Sequence, residues 1–195
     1  AQDAMGDVFD DPTQPIDTAL HIQNTLGIPV SATFNNIMVR PSQQNLNLFI
    51  ENFKILYDAG IRSATIPHTH WLATGQIQKA FPELWIKNTI LRNVAHANEI
   101  ENLAKAGFKY VNIDRDLMRD RDMLIKMKKC ADKNNVMLAL LANEGCLGGC
   151  TMMDEHYQYN LTRIESPQYF NDPISRVSCP KWDVEEPASQ LKNAN

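Results

Sequence analysis

The chain has 195 residues, and its 19 Lys+Arg against 23 Asp+Glu give a formal net charge of −4 with 44% hydrophobic residues. This length and composition predict a single α/β domain over residues 1–195 and argue against a strongly basic nucleic-acid surface. The longest apolar run, residues 136–142, is far shorter than the roughly 20 residues that span a bilayer, so no membrane partner is expected. No secretory leader opens the chain, which predicts a cytoplasmic protein.

Apolar, β-branched runs alternate with segments of helical spacing after a lead-in, residues 1–20, that we expect to be poorly ordered. The predicted strands are residues 28–34, 61–67, 85–91, 109–114 and 136–142, and the predicted helices are residues 45–59, 76–81, 98–106 and 122–133. Gly60 and Gly107 follow two of these helices as C-caps. The runs read as continuous rather than alternating, which is typical of strands covered on both faces. The pattern predicts an α/β fold with a parallel sheet.

The number of βα units favours a partial TIM-type barrel over the alternative, an open parallel sheet. A complete barrel takes about 250 residues, and five to six units are visible here. No Gly-rich phosphate turn follows a strand, as it would in a doubly wound nucleotide-binding sheet. Because the chain begins at Ala1 rather than Met, we expect a fragment of a longer barrel. Its sheet edges would be covered by a homodimer or by a missing C-terminal segment.

Polar side chains gather after every predicted strand. They include Thr33, Asn35 and Asn36 after the first, His68 and His70 after the second, Asn88 and Arg92 after the third, Asp114, Arg115 and Asp116 after the fourth, and Glu144 after the fifth. The carboxyl ends of parallel strands meet at one edge, where barrels hold their chemistry. We therefore expect a site at this mouth.

Five of these residues are candidate catalytic groups, each with a structural alternative. His68 is a candidate general base, ligand or substrate donor, or else a structural histidine bonded to a neighbouring carbonyl. One of the Asp114 and Asp116 carboxylates can hold the Arg115 guanidinium while the other faces the cavity, or the group can close a structural ion pair. Glu144 is an acid/base candidate or a cap of the next turn. Arg92 and Arg115 favour an anionic substrate, because guanidinium pairs bidentately with carboxylates.

The cysteines carry the sharpest chemical pattern. Cys146 and Cys150 flank a Leu-Gly-Gly turn, Cys179 precedes a proline, and His156 lies between them in the chain. Thiolates bind zinc or iron–sulfur clusters, and Cys-Pro occurs among ferredoxin cluster ligands. These four residues predict a metal site, with a stray set of small buried residues as the alternative. Residues 151–178 would then form a lid-like excursion that returns Cys179 to the barrel mouth.

Several stretches together resemble a known family. They are Asn143-Glu144-Gly145-Cys146-Leu147-x-x-Cys150, His156-x-x-x-Asn160, Ser178-Cys179-Pro180-x-Trp182, Tyr110-x-Asn112-x-Asp114-Arg115-Asp116-Leu117 and Phe81-Pro82-Glu83-Leu84. This set, over residues 25–185, resembles the collagenase-like peptidase (U32-type) superfamily. The resemblance implies a TIM-like barrel. It also implies, as in relatives with an iron–sulfur cluster, oxygen-independent hydroxylation of ubiquinone precursors or RNA bases, with prephenate implicated as the hydroxyl source. The older family label implies a peptidase.

The resemblance also implies a ligand set. Cys146, Cys150 and Cys179 would hold an iron–sulfur cluster of the 4Fe-4S type, and His156 or a cysteine beyond the last residue would be the fourth ligand. Thr151 stands where the family has proline, and no fourth cysteine aligns, so a three-thiolate cluster with an open iron is an alternative. The resulting hypothesis is an iron–sulfur enzyme acting on an anionic small-molecule or nucleobase substrate. The competing hypothesis is a non-catalytic, zinc-stabilised domain.

Overall fold

The structure, a computed structural model, describes residues 14–141. The chain divides into two compact units, Ala1–Leu140 and Leu141–Asn195, and the first contains every element described below. Five predicted site residues lie outside the described residues, as does the expected excursion over residues 151–178; the five are Glu144, Cys146, Cys150, His156 and Cys179.

Helices and strands alternate along the first unit. In chain order they are α1 Gln14–Leu26, β1 Ala32–Thr33, α2 Gln43–Asp58, β2 Ser63–Ile66, α3 Thr69–Ala73, α4 Gln76–Ala80, β3 Trp85–Asn88, α5 Ala97–Ala106, β4 Tyr110–Asn112, α6 Arg121–Lys133 and β5 Met137–Ala139. Short 3-10 turns, Ile90–Arg92 and Arg115–Arg119, follow β3 and β4. Within the described residues no helix is long and apolar enough to cross a membrane.

The five strands form one sheet in the order β1-β2-β3-β4-β5, and every neighbouring pair is parallel. The predicted α/β class and parallel sheet are therefore confirmed. The order follows the chain without the reversal of a doubly wound sheet, and this is the order that successive barrel strands have. In the part of the chain described here, β1 and β5 stand at the two ends of the order. An open parallel sheet is consistent with the same arrangement.

The two faces of the sheet differ in polarity. Ala64, Ile66, Ile86 and Val111 belong to the same buried cluster as the apolar stripes of α2, α5 and α6. By strand alternation the other face carries Ser63, Thr65, Lys87 and Tyr110, and we call it the polar face. Ala64, Thr65 and Ile66 of β2 are all buried, whereas Trp85 and Met137 are exposed at the starts of β3 and β5.

Glycine ends two helices where the spacing predicts a C-cap. Gly60 and Gly107 follow α2 and α5 with φ of 111° and 107°, a left-handed conformation that residues with a side chain rarely adopt. At Gly107 the chain also passes close to Gln78, whose Nε2 would lie 2.7 Å from an added Cβ. The αβ turn after α5 therefore requires glycine for both conformation and space.

Residues 14–20, part of the lead-in over residues 1–20, form the start of α1. Leu20 packs against the core, and Gln23 lies one turn further along the same helix face. Gln23 Nε2 donates to the Gly60 carbonyl at 3.1 Å, and its Oε1 accepts from the Val30 amide at 3.3 Å. This side chain ties α1 to the end of α2 and to the approach to β1.

Candidate functional site at the carboxyl edge of the sheet

His68 lies buried directly after β2, with partners for both ring nitrogens. Nδ1 is 2.9 Å from Arg92 Nη2, and Nε2 bonds to the Val39 carbonyl. Because a guanidinium only donates and a carbonyl only accepts, Nδ1 is the acceptor and Nε2 carries the hydrogen. The Trp71 ring packs edge-on against the imidazole at 5.1 Å. His68 is therefore held as one neutral tautomer.

Burial lowers the pKa of His68 below its ordinary value of 6.5, and the charges of Arg92 and His70 add to this effect. The bond to the Val39 carbonyl acts in the opposite direction, because it favours a protonated ring, but it is outweighed. The geometry matches the structural alternative considered for this residue, a histidine bonded to a neighbouring carbonyl. For His68 to accept a proton at Nδ1, Arg92 would first have to move.

Arg92 crosses from the end of β3 to the end of β2. Arg92 is the last residue of the 3-10 turn Ile90–Arg92. Thr89 caps the start of this turn, because its hydroxyl accepts from the Leu91 amide. Arg92 Nε and Nη2 both donate to the Pro67 carbonyl, at 3.1 and 2.8 Å. Among the described residues Nη1 has no hydrogen-bond partner. An anion could thus reach Nη1, but the Nε–Nη2 edge expected to grip a carboxylate bidentately is already occupied.

Asp114 and Arg115 follow β4. Asp114 Oδ1 accepts from the Asp116 amide at 2.8 Å and caps the 3-10 turn, while the Asp114 amide donates to the Val94 carbonyl at 2.8 Å. Arg115 is buried, with 7% of its surface exposed. The described hydrogen bond of the Asp114 carboxylate lies within its own turn, and no described contact of Asp114 is with His68 or Arg92. The structure therefore brings His68 and Arg92 together, and it leaves Asp114 as a cap.

Two asparagines, Asn88 and Asn112, join β3 to β4 beyond the last paired residues, Lys87 and Tyr110. Asn88 Oδ1 accepts from the Asn112 amide at 2.7 Å, and Asn88 Nδ2 donates to the Asn112 carbonyl at 3.0 Å. Asn112 Nδ2 in turn donates to the Asn88 carbonyl. Side-chain amides thus supply the hydrogen bonds that join the ends of β3 and β4.

A cavity of about 410 Å³ opens at the carboxyl ends of β1 and β2. Its lining contains aromatic, amide and aliphatic groups: Thr33, Phe34, Asn35, Asn36, Val39, Asn45, Leu48, Phe49, Asn52, Pro67 and Trp71. None of these side chains is charged. Two lining residues, Val39 and Pro67, supply the carbonyls that hold His68 and Arg92. The cavity therefore adjoins the His68–Arg92 pair.

Hydrogen-bonding groups in this cavity are partly unused. Trp71 is 95% buried, since 5% of its surface is exposed, and its Nε1 has no partner among the described residues. Asn36 Oδ1 accepts from Met38, and Asn45 Nδ2 donates to the Arg40 carbonyl. The other atoms of these two amides, Asn36 Nδ2 and Asn45 Oδ1, have no partner within residues 14–141. An uncharged ring with donors and acceptors on its edge suits this lining.

Sequence reasoning missed most of this cavity. Asn35 and Asn36 were identified as strand-end residues, but Asn45, Asn52 and Trp71 were not assigned to a site. A signal was present in α2, where Asn45, Leu48, Phe49 and Asn52 share one stripe with the spacing of a helix face. Amides at the two ends of an apolar stripe indicate a face that is only partly buried.

No group of three His, Cys, Asp or Glu side chains within residues 14–141 could hold a metal ion. Cys130 lies on α6 and its thiol donates to the Ala97 carbonyl at 3.1 Å. It is thus a structural cysteine of the helix packing, and the predicted ligands Cys146, Cys150, Cys179 and His156 lie outside the described residues.

A larger cavity, about 530 Å³, lies at the opposite, amino end of β3 and β5, where it is lined by Trp85, Lys109 and Met137 among others. Size alone would favour it as a ligand site. Parallel α/β enzymes bind substrates at the carboxyl ends of their strands, so we assign the site to the smaller cavity.

Comparison with known proteins gives a structural match only. No family model matches the chain, and no curated protein matches it. A solved structure described as "The Structure of the U32 Peptidase Mk0906" has a TM-score of 0.63 and 10% sequence identity, covering 89% of this chain and 71% of that chain. The chain is therefore similar in fold to a U32 peptidase. At this identity the match supports the fold implied by the sequence resemblance, and the chemistry has to be argued from the site.

Proposed function

We propose that this protein is an enzyme that binds a small aromatic or nucleobase substrate at the carboxyl edge of its sheet. In this proposal, an iron–sulfur cluster held by Cys146, Cys150 and Cys179 serves the oxygen-independent hydroxylation of that substrate. The first half of the proposal, substrate binding, rests on one observation, the uncharged, aromatic-lined cavity beside the His68–Arg92 pair. The cysteine pattern and the family resemblance support the cluster half.

In this proposal the cavity receives the ring. Phe34, Phe49 and Trp71 offer apolar surface for a planar group. Asn36 and Asn45 offer one donor and one acceptor for the ring edge. A single anionic substituent would lie toward Arg92 Nη1, while His68 holds Arg92 in position. His68 is thus a positioning residue here.

The predicted cluster ligands fit the group by their chemistry. Three thiolates with His156 as a fourth ligand satisfy either an iron–sulfur cluster or zinc. When bound, an iron–sulfur cluster supplies one-electron redox chemistry. Arg115 remains a proposed member of the mouth, and Glu144 remains a proposed acid/base residue. Asp114 would shape that mouth through its cap of the 3-10 turn.

The metal half is tested on the full chain purified without oxygen. We expect a brown protein with visible absorbance and with iron and acid-labile sulfide in equal amounts. Cys146→Ser or Cys179→Ser should abolish both, whereas Cys130→Ser, the matched control, should retain them. A colourless protein with one zinc per chain would support the non-catalytic zinc domain instead. Absence of both metals would refute any role of the cysteines in metal binding.

The binding half is tested separately by equilibrium dialysis with uracil and with 4-hydroxybenzoate, a neutral and an anionic ring. We expect Asn45→Ala, which removes the free Oδ1 acceptor from the cavity lining, to weaken binding about fivefold, the effect of one lost hydrogen bond. Leu124→Met on α6, remote from the cavity, is the control. If neither ring binds the wild-type chain, the assignment of this cavity to the substrate fails, whatever the metal content.

A further inference from the structure

The larger cavity, at the amino ends of β3 and β5, is not used by the proposed function. Its volume of about 530 Å³ is typical of pockets that hold small molecules, which measure about 300–1,000 Å³. All of its lining residues lie between Pro82 and Met137, within the first compact unit. We call it the amino-end cavity.

Two large apolar side chains of this cavity stand partly in solvent. Trp85 begins β3 with 50% of its surface exposed, and Met137 begins β5 with 46% exposed. By strand alternation both belong to the polar face. Leu84 and Val136, which are buried, add apolar surface to the lining. An aromatic ring placed against the indole and the thioether would cover apolar surface that is now in contact with water.

The charged residues of the lining leave one cation without a counterion. Glu83 pairs with Arg62 at 3.1 Å, and Asp132 pairs with Lys128 on α6. Lys109 is an exposed lining residue that forms no ion pair and no side-chain hydrogen bond within residues 14–141. Because both carboxylates already have a basic partner, the charge that remains for a ligand is the Lys109 ammonium. The lining therefore favours a ligand with a negative charge.

Main-chain hydrogen bonds hold these lining residues in place. The Lys109 amide donates to the Ile86 carbonyl at 3.1 Å, and the Met137 amide donates to the Lys109 carbonyl at 3.0 Å. The Val136 amide donates to the Ala131 carbonyl of α6 at 3.0 Å. The backbone that carries the cation and the apolar side chains is thus already ordered, so a ligand would not have to order it on binding.

We propose that the amino-end cavity binds a small aromatic carboxylate, with its ring against Trp85 and Met137 and its carboxylate beside the Lys109 ammonium. Asn135, also in the lining, offers a side-chain amide to a second polar group of the ligand. A neutral ring would use the same apolar surface but would lack the charge-assisted hydrogen bond, and a cationic ring would be repelled by Lys109. The proposal goes beyond the proposed function, because its residues lie at the opposite edge of the sheet.

The test is equilibrium dialysis of the full chain with three ligands that share one ring: indole-3-acetate, 3-methylindole and tryptamine. We expect indole-3-acetate to bind at least about fivefold more tightly than 3-methylindole, and tryptamine to bind more weakly than either. Lys109→Gln should remove this preference, whereas Lys129→Gln, at an exposed position of α6 outside the lining, should keep it. Because Trp85 is half exposed, Trp85→Ala should weaken the binding of all three ligands without unfolding the chain, which circular dichroism checks.

The proposal is overturned if wild-type protein does not bind indole-3-acetate at about 1 mM, or if Lys109→Gln binds it as tightly as wild type. Loss of binding in Asn45→Ala would assign the ligand to the cavity beside His68 and would overturn the proposal as well. So would a dimer, detected by light scattering, that Trp85→Ala dissociates, because a second copy of the chain would then occupy this surface. Uracil binding, which tests the proposed function, should be the same in wild type and Lys109→Gln, so the two proposals fail separately.

Discussion

The bonds of His68 allow a quantitative prediction for its removal. His68→Ala deletes a neutral hydrogen bond to Val39, which contributes about 1 kcal/mol, and a bond from the charged Arg92, which contributes about 1.5–3 kcal/mol. Val39 is half-buried and Arg92 is exposed, so water recovers part of the loss. We expect the free energy of unfolding to fall by about 2–3 kcal/mol, and Tm to fall by about 5–10 °C for a chain of this size.

The same residue predicts a dependence of stability on pH. The folded pKa of His68 lies below 6.5, whereas the unfolded chain takes up this proton near its ordinary value of 6.5. As pH falls below about 6.5 the unfolded state binds more protons than the folded state, so stability decreases until the folded pKa is passed. His68→Gln can still donate to Val39 and accept from Arg92, but it does not titrate. It should therefore lose this part of the acid sensitivity.

Urea unfolding of the wild type, His68→Ala and His68→Gln at pH 7.5 and pH 5.5 measures both effects. The other histidines are present in every protein, so the difference between wild type and His68→Gln isolates His68. His21→Gln, at an exposed position of α1, is the control and should keep the wild-type pH dependence. The reasoning is wrong if His68→Gln is as acid-sensitive as the wild type, or if His68→Ala costs less than about 0.5 kcal/mol.

Two further substitutions test the packing that supports the site. Phe53 is fully buried and contacts four aromatic rings, so Phe53→Ala should cost about 3–5 kcal/mol in urea unfolding, and a loss below about 1 kcal/mol would contradict its central place in the core. Gly107→Ala combines a φ of 107° with the approach to Gln78, whereas Gly27→Ala meets no atom within 4 Å at a φ of 66°. Thermal unfolding should therefore show a larger loss for Gly107→Ala, and equal losses would show that Gln78 simply moves aside.

Local sequence signals predicted the helices better than the strands. The boundaries of α2 and α6 follow from apolar spacing and a terminating turn, and both lie within two residues of the predicted helices. The third strand ends earlier than its apolar run, because the Thr89 hydroxyl binds the Leu91 amide and starts a 3-10 turn inside that run. Ile90 and Leu91 are half-buried in this turn, and a hydrophobicity pattern cannot distinguish such apolar residues from those of a longer strand.

The site was only partly predictable, because its decisive bonds join residues far apart in the chain. His68 and Arg92 stood out as polar groups after strands, but their mutual bond and the role of the Val39 carbonyl depend on how three strand ends meet. In the sequence, Arg92 and Arg115 favoured an anionic substrate. The lining of the cavity is uncharged, since α2 turns Asn45 and Asn52 toward the end of β1.

The order of the strands also bears on how the protein assembles. Each strand pairs with the strand that precedes it, as Ala64 does with Ala32 and Ile86 with Ala64. The segment between two paired strands therefore contains only the helices and turns that connect them. Closing such a segment into a loop carries a smaller entropic cost than the pairing of strands from distant parts of the chain. During synthesis the partner of each new strand has already left the ribosome. The sheet of this unit can therefore grow from the amino terminus at the pace of translation, without waiting for a distant segment.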